Sequence, residues 1–124
     1  MITLRAVAAL YLISGLWCAA APQLAAGFLG FGSLNEKGLA EFFTVYGGLQ
    51  TGLAVAMAVV SLKPLNVMVG LLFAAVFSSV LALFRLLSLA LYSIDMAMLG
   101  MAVLEVTLAI VLWSGWLRNV RKRD

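Results

Sequence analysis

Apolar residues run almost unbroken through four stretches, about 2–21, 38–62, 65–91 and 96–117, and polar positions gather at the joints between them. Each stretch meets the roughly 20 residues that an α-helix needs to cross about 30 Å of hydrocarbon. The joints carry boundary signals. Pro22 closes the first stretch, and Lys63-Pro64 separates the second from the third. Ser33 followed by Glu36 reads as a capping box for the second helix, and Ser93 with Asp95 offers a cap and a favourable charge to the fourth. Between the first two stretches, Leu24, Phe28 and Phe31 recur at helical spacing in a glycine-rich segment, which predicts a short piece lying in the membrane interface. The pattern as a whole predicts an all-α integral membrane protein, a four-transmembrane-helix bundle forming a single membrane domain over residues 1–124.

Composition strengthens this reading and narrows the chemistry. The 124 residues are 65% hydrophobic and 10% charged, against about half and a quarter in soluble domains. A net charge of +3 is therefore read by position. Arg5, Lys63, Arg118, Arg121, Lys122 and Arg123 fall on one side of a four-span chain, Lys37 falls on the other, and Arg85 lies inside the third helix. The positive-inside rule then places both termini in the cytoplasm, as expected in a bacterial inner membrane, with Trp113 and Trp116 near the inner interface and Trp17 and Tyr92 near the outer one. The basic tail is a topology signal that touches anionic lipid, and no nucleic-acid partner is expected.

With no histidine and one cysteine, a single chain cannot build a His-held haem, a His or Cys zinc cage, a disulfide or a CxxC pair, so neither metal nor cofactor is expected. Cys18 reads as a small buried apolar residue. Arg5 ahead of an apolar run and Ala19 to Ala21 resemble a signal peptide, but the first helix is expected to be retained. Trp17 stands where a lipoprotein would need a small residue before Cys18.

Charges inside apolar stretches are costly and so informative. Glu41 falls in the first turns of helix 2 and Arg85 near the end of helix 3. Helix rise puts both near the outer hydrocarbon boundary, which predicts an ion pair between them. Glu105 lies about 15 Å into helix 4, close to mid-membrane. Tyr11, Gln50 and Ser78 or Ser79 stand at similar depth, with Tyr46 on the stripe beside Gln50. A carboxyl there is expected in its protonated form, donating a hydrogen bond. This polar layer would serve as interhelical glue, as the floor of a ligand cavity, or as a proton-binding step. In the stretch AEFFTVYGGLQTG, Gly48 and Gly52 form a GxxxG pattern, and with Gly47 they are the expected helix-packing positions.

Ala40-Glu41 followed by Val45-Tyr46-Gly47-Gly48-Leu49-Gln50 resembles the helix-2 signature of the DUF4345 group of small bacterial four-helix membrane proteins. Phe84-Arg85-Leu86-Leu87-Ser88 and Glu105 on the last helix also resemble that group's pattern, so the likeness covers most of the chain. It implies a compact four-helix protein, broadly similar to DoxX-like membrane proteins. It marks Glu41, Tyr46, Gly47, Gly48, Gln50, Arg85 and Glu105 as positions to suspect. The group often carries an arginine shortly after the acidic position, where this chain has Phe43-Thr44. No reaction comes with the resemblance.

The function expected is that of a self-associating or accessory membrane protein holding a lipid-like hydrophobic ligand. Its partners would be membrane lipids and further copies of the chain or another membrane protein. The alternative is a proton-coupled small-molecule transporter cycling Glu105. Small multidrug transporters share the length and helix count, but their coupling glutamate lies on helix 1, where this chain has Tyr11 and Ser14. An enzyme ranks third, because Glu41, Arg85, Asp95 and Tyr46 show no nucleophile-base-orienter spacing, and no catalytic residue is assigned.

Overall fold

A computed structural model describes residues 1–92 and 95–121. Four helical segments are long and apolar enough to cross a membrane: Ile2–Ala20, Glu36–Val60, Pro64–Leu91 and Met96–Val120. The chain is an all-α, four-helix membrane protein. Its elements are α1 (Ile2–Ala20), a short α2 (Pro22–Phe28), α3 (Glu36–Phe42), α4 (Gln50–Val60), α5 (Pro64–Leu91) and α6 (Met96–Val120). Between α3 and α4 the second span does not break but winds as a π-helix over Phe43–Leu49.

The joints follow local chemistry. Pro22 and Pro64 each open a helix, α2 and α5, where a missing N–H costs nothing. Asp95 caps α6, its Oδ1 accepting from the Met98 amide at 2.8 Å. Ser93, expected to share that role, lies outside the described residues, as do Lys122 and Arg123 of the basic tail. At the head of α3 the expected Ser33 capping box gives way to Asn35, whose Oδ1 accepts from the Gly38 amide at 2.9 Å. Glu36 is then the first helical residue, so its carboxylate sits at the positive end of the helix instead of reaching back to Ser33. The α2 terminus is a Schellman motif. Gly30 takes a φ of +85°, its amide bonds Gly27 O at 3.1 Å, and the Phe31 amide bonds Ala26 O at 2.9 Å. That turn fixes where Phe31 lies.

Two compact units divide the chain, Arg5–Val59 and Val60–Asp124 with Met1–Leu4. In the latter, α5 and α6 form an antiparallel hairpin. Many of its buried residues are small: Gly70, Ala74, Ala75, Ser78 and Ala82 on α5 and Ala102, Ala109 and Gly115 on α6, beside the larger Val67, Leu71, Glu105 and Leu112. Small side chains let the backbones approach, which is how helices associate where lipid removes the hydrophobic drive. A Cβ at Gly70 would meet Val60 Cγ1 at 2.5 Å and Leu4 Cδ2 at 2.9 Å. Only hydrogen fits there.

In the unit Arg5–Val59, Cys18, Ala25, Ala26 and Phe42 form a buried cluster that Leu29, Leu34 and Tyr46 flank. Trp17 and Phe28 meet edge to face at 5.6 Å. The first and second spans touch through two glycines. A Cβ at Gly15 would lie 2.8 Å from the Thr51 backbone nitrogen, and one at Gly47 would lie 3.1 Å from Ala19 Cβ.

Of the expected packing positions, Gly47 is the one that packs within this unit. Gly48 and Gly52 are exposed; a Cβ at Gly52 would meet nothing within 4 Å, and one at Gly48 only the Phe43 carbonyl at 3.9 Å. Buried positions along the span are Phe42, Gly47, Ala54 and Met57, so the first interval is one i→i+5 turn and the later ones are α-helical. Gly47 shares the face of Ala54 by ordinary helical spacing, and the π winding brings Phe42 onto that face.

Candidate functional site

The α5–α6 hairpin carries the strongest polar interaction. Arg85 is six residues before Leu91 and Glu105 nine after Met96, which puts them about 9 Å and about 14 Å of helix from the connection. The long arginine stem bridges the offset. Arg85 Nε donates to Glu105 Oε2 at 3.1 Å and Oε1 at 3.3 Å, and Nη2 donates to Oε1 at 3.0 Å. A planar guanidinium matched to a carboxylate in this way is the strongest geometry such a pair adopts. Glu105 is only 6% exposed, while 24% of the Arg85 side chain remains accessible. One turn further, Ser88 Oγ donates to Arg85 O at 2.7 Å.

Within this unit the carboxylate that Arg85 engages is Glu105, while Glu41, the partner that depth along the helices suggests, belongs to the other unit. Backbone rise locates a Cα, but an arginine reaches a turn or more beyond its own. Glu105 also accepts hydrogen bonds here instead of donating one, because the group it meets carries only donors.

Deeper in the hairpin, Ser79 Oγ donates to Ala75 O at 2.8 Å and accepts from Trp113 Nε1 at 2.9 Å. The register that sets 85 against 105 also sets 79 against 113. Trp113, expected at an interface, places its indole N–H in the hairpin and its ring edge to face with Trp116 at 5.6 Å. Sequence reasoning missed this bond; the antiparallel register, once known, would have found it. Ser78 is 2% exposed, and its hydroxyl has no hydrogen-bond partner among the described residues. Of the expected polar layer, Glu105, Ser78 and Ser79 belong to this unit. Tyr11 on α1, Tyr46 in the π-helix and Gln50 at the head of α4 belong to the other, and all three are half-buried.

Two clefts open within Arg5–Val59. One, of about 240 Å³, runs between α1 and α4 over Ala8, Leu12, Ala54, Val55 and Ala58, with Arg5 at its end. Its walls are small apolar side chains and its only charge is cationic. The other, of about 280 Å³, lies between the α2–α3 loop and the start of the second span. Phe31 and Leu34 form one wall; Glu41, Phe42, Val45 and Tyr46 form the other. Phe42 and Tyr46 stack at 4.5 Å with 11° between their planes. Phe31 stands edge to face against both, at 5.7 and 5.6 Å. Among the described residues no group of His, Cys, Asp and Glu is placed to hold a metal ion. No protein-family model, curated protein or solved structure matches the chain.

Proposed function

We propose that this chain is a non-enzymatic membrane protein that associates with further copies of itself and holds a lipid-like molecule against its surface. The observation that carries the reading is the position of Gly48 and Gly52. They lie four apart on the exposed side of the second span, with no side chain among the described residues within 4 Å of a Cβ at either. Ala56, exposed one turn later, extends the stripe. Facing small residues let two such helices approach closely enough for backbone contact. The cleft ending at Arg5 supports the lipid component, since it offers an apolar channel for an acyl chain and a cation for an anionic headgroup. Kinship with the DUF4345 group and residence in a bacterial inner membrane with both termini cytoplasmic are parts of the same proposal. They rest on the Ala40 to Gln50 pattern and on the distribution of basic residues.

The test is native mass spectrometry of the protein released from its own membrane, beside Gly48→Leu. A defined oligomer that the substitution dissociates supports the reading. A monomer in both samples, in detergent and in nanodiscs alike, rejects it. The rival, a proton-coupled carrier cycling Glu105, is disfavoured by Arg85. Protonating the carboxylate would remove the charge that its two-pronged contact with Arg85 depends on. A proteoliposome current that Glu105→Gln abolishes in a folded protein would restore that rival.

A further inference from the structure

From the winding of the second span we infer a conformational switch. The outer part of that helix, Glu36–Phe42, moves between two registers: the π-wound one, and an α-helical one in which Phe43 takes the place of Phe42 in the buried cluster. This goes beyond the proposed self-association and does not depend on it, because every residue concerned lies in one compact unit of one chain.

Three observations converge. First, the helix is wound one residue looser than an α-helix between two packed points. Phe42 is held among Cys18, Ala25 and Ala26, and Gly47 lies against Ala19, whose Cβ is 3.1 Å from where a Cβ on the glycine would stand. The interval between them is one i→i+5 turn, where an α-helix uses i→i+4. Relaxing that turn to α advances the outer segment by one position, a rotation of about 100° and a rise of about 1.5 Å. Second, the residue brought in is another phenylalanine. Phe42 is 3% exposed and Phe43 52%, so the two rings have opposite environments and exchange them on rewinding. Either ring fills the same space in the cluster, so no cavity opens.

Third, the same advance is compatible with the rest of the segment. In α3 the buried and half-buried positions are Gly38, Leu39 and Phe42. Leu39, Ala40 and Phe43 would take them, all apolar, while Lys37 and Glu41 would enter the exposed places of Glu36 and Ala40. No charge is buried. A Cβ in the place of Gly38 meets Leu34 Cδ2 at 3.3 Å, the far end of a flexible side chain. The Asn35 cap bonds the Gly38 amide of its own helix and travels with it. Thr44 Oγ1 donates to Ala40 O at 2.9 Å, and such hydroxyls re-satisfy backbone groups that a change of winding frees. The consequence falls on the cleft. The stacked pair Phe42–Tyr46, which belongs to one of its walls, exists in the π register alone, so rewinding dismantles that wall.

The experiment is fluorine NMR of the full chain labelled with 4-fluorophenylalanine in maltoside micelles, the lines of Phe42 and Phe43 being assigned with Phe42→Leu and Phe43→Leu. Relaxation dispersion reads the microsecond-to-millisecond range in which helix register shifts occur. Both lines are expected to report one minor state, with a single rate and a population of about 1 to 10%, because one movement exchanges both rings. A Phe42 line without exchange overturns the inference without any variant having to fold. Unequal rates or populations at the two rings overturn it as well, since they would mean independent side-chain motion. Phe43→Ala separates the switch from fraying of the helix end. It changes an exposed position of the described register but puts an alanine into the cluster in the other, so the minor population is expected to fall by more than about tenfold. Exchange at Phe42 that persists unaltered in Phe43→Ala overturns the inference.

Discussion

Arg85 and Glu105 share one task, which is to let two charges exist in a hairpin that is otherwise apolar. Removing one member takes from the other its carboxylate–guanidinium bonds. Glu105→Leu is expected to destabilise the hairpin by about 3 kcal/mol, and the double change Arg85→Met with Glu105→Leu to recover most of that loss, because a buried ion pair is replaceable by apolar side chains of similar size. Reversible unfolding in mixed detergent micelles measures the cycle; additive single effects would mean that the two groups do not act as a pair. The adjacent serines separate in the same assay. Ser78→Ala is expected to be neutral or stabilising by up to about 1 kcal/mol, since it deletes a buried hydroxyl with no hydrogen-bond partner among the described residues. Ser79→Ala takes the acceptor from Trp113 Nε1 and is expected to cost about 1 kcal/mol. Neither difference is visible in the sequence, where the two serines are equivalent by type and depth. The bond from Arg85 to Glu105 was not legible for a related reason, since rise per residue says nothing about where a flexible side chain ends.

The helices themselves were far more legible. Pro22, Pro64 and Asp95 each act at the joint where they stand, and the described spans match the apolar stretches to within a few residues. Asn35 took the place expected for Ser33 because several polar residues in a row can each cap, and only the backbone chooses among them. The π-helix left no compositional trace, and it is what puts Phe42 on the face of Gly47. An expected consequence concerns chain length. A π segment accommodates one residue beyond what an α-helix needs, so deleting exposed Thr44 should close Phe43–Leu49 into α-helix and keep Phe42 and Gly47 on one face. Deleting exposed Val80 from α5 instead turns everything that follows by about 100° and separates Arg85 from Glu105. Thermal unfolding of the two deletion variants in the same detergent checks this: the first should retain a cooperative transition near that of the parent, and the second should lose it.

Among the described residues, large apolar side chains lie outside far more often than inside. Ile2, Leu65, Val69, Phe84 and Leu91 are each 66% exposed or more, which in water would drive aggregation and in lipid is the natural outer surface. Composition alone had announced this, because 65% hydrophobic content leaves no polar coat for a soluble shell. Four spans also oblige both termini to emerge on one side, and the basic residues nominate the cytoplasm. Fusions of alkaline phosphatase and of a fluorescent protein to the C-terminus are expected to be inactive and bright respectively; the opposite result would reverse the orientation.

The winding of the second span has a further consequence, for descent. Within an ordinary transmembrane helix the loss or gain of a single codon turns every later side chain away from its neighbour, so such changes are purged. The segment Phe43–Leu49 is where this chain can tolerate one. Related chains are therefore expected to differ in length by one residue there, those with the shorter form running as plain α-helix, and the shape of the aromatic cleft beside Tyr46 is expected to divide along the same line.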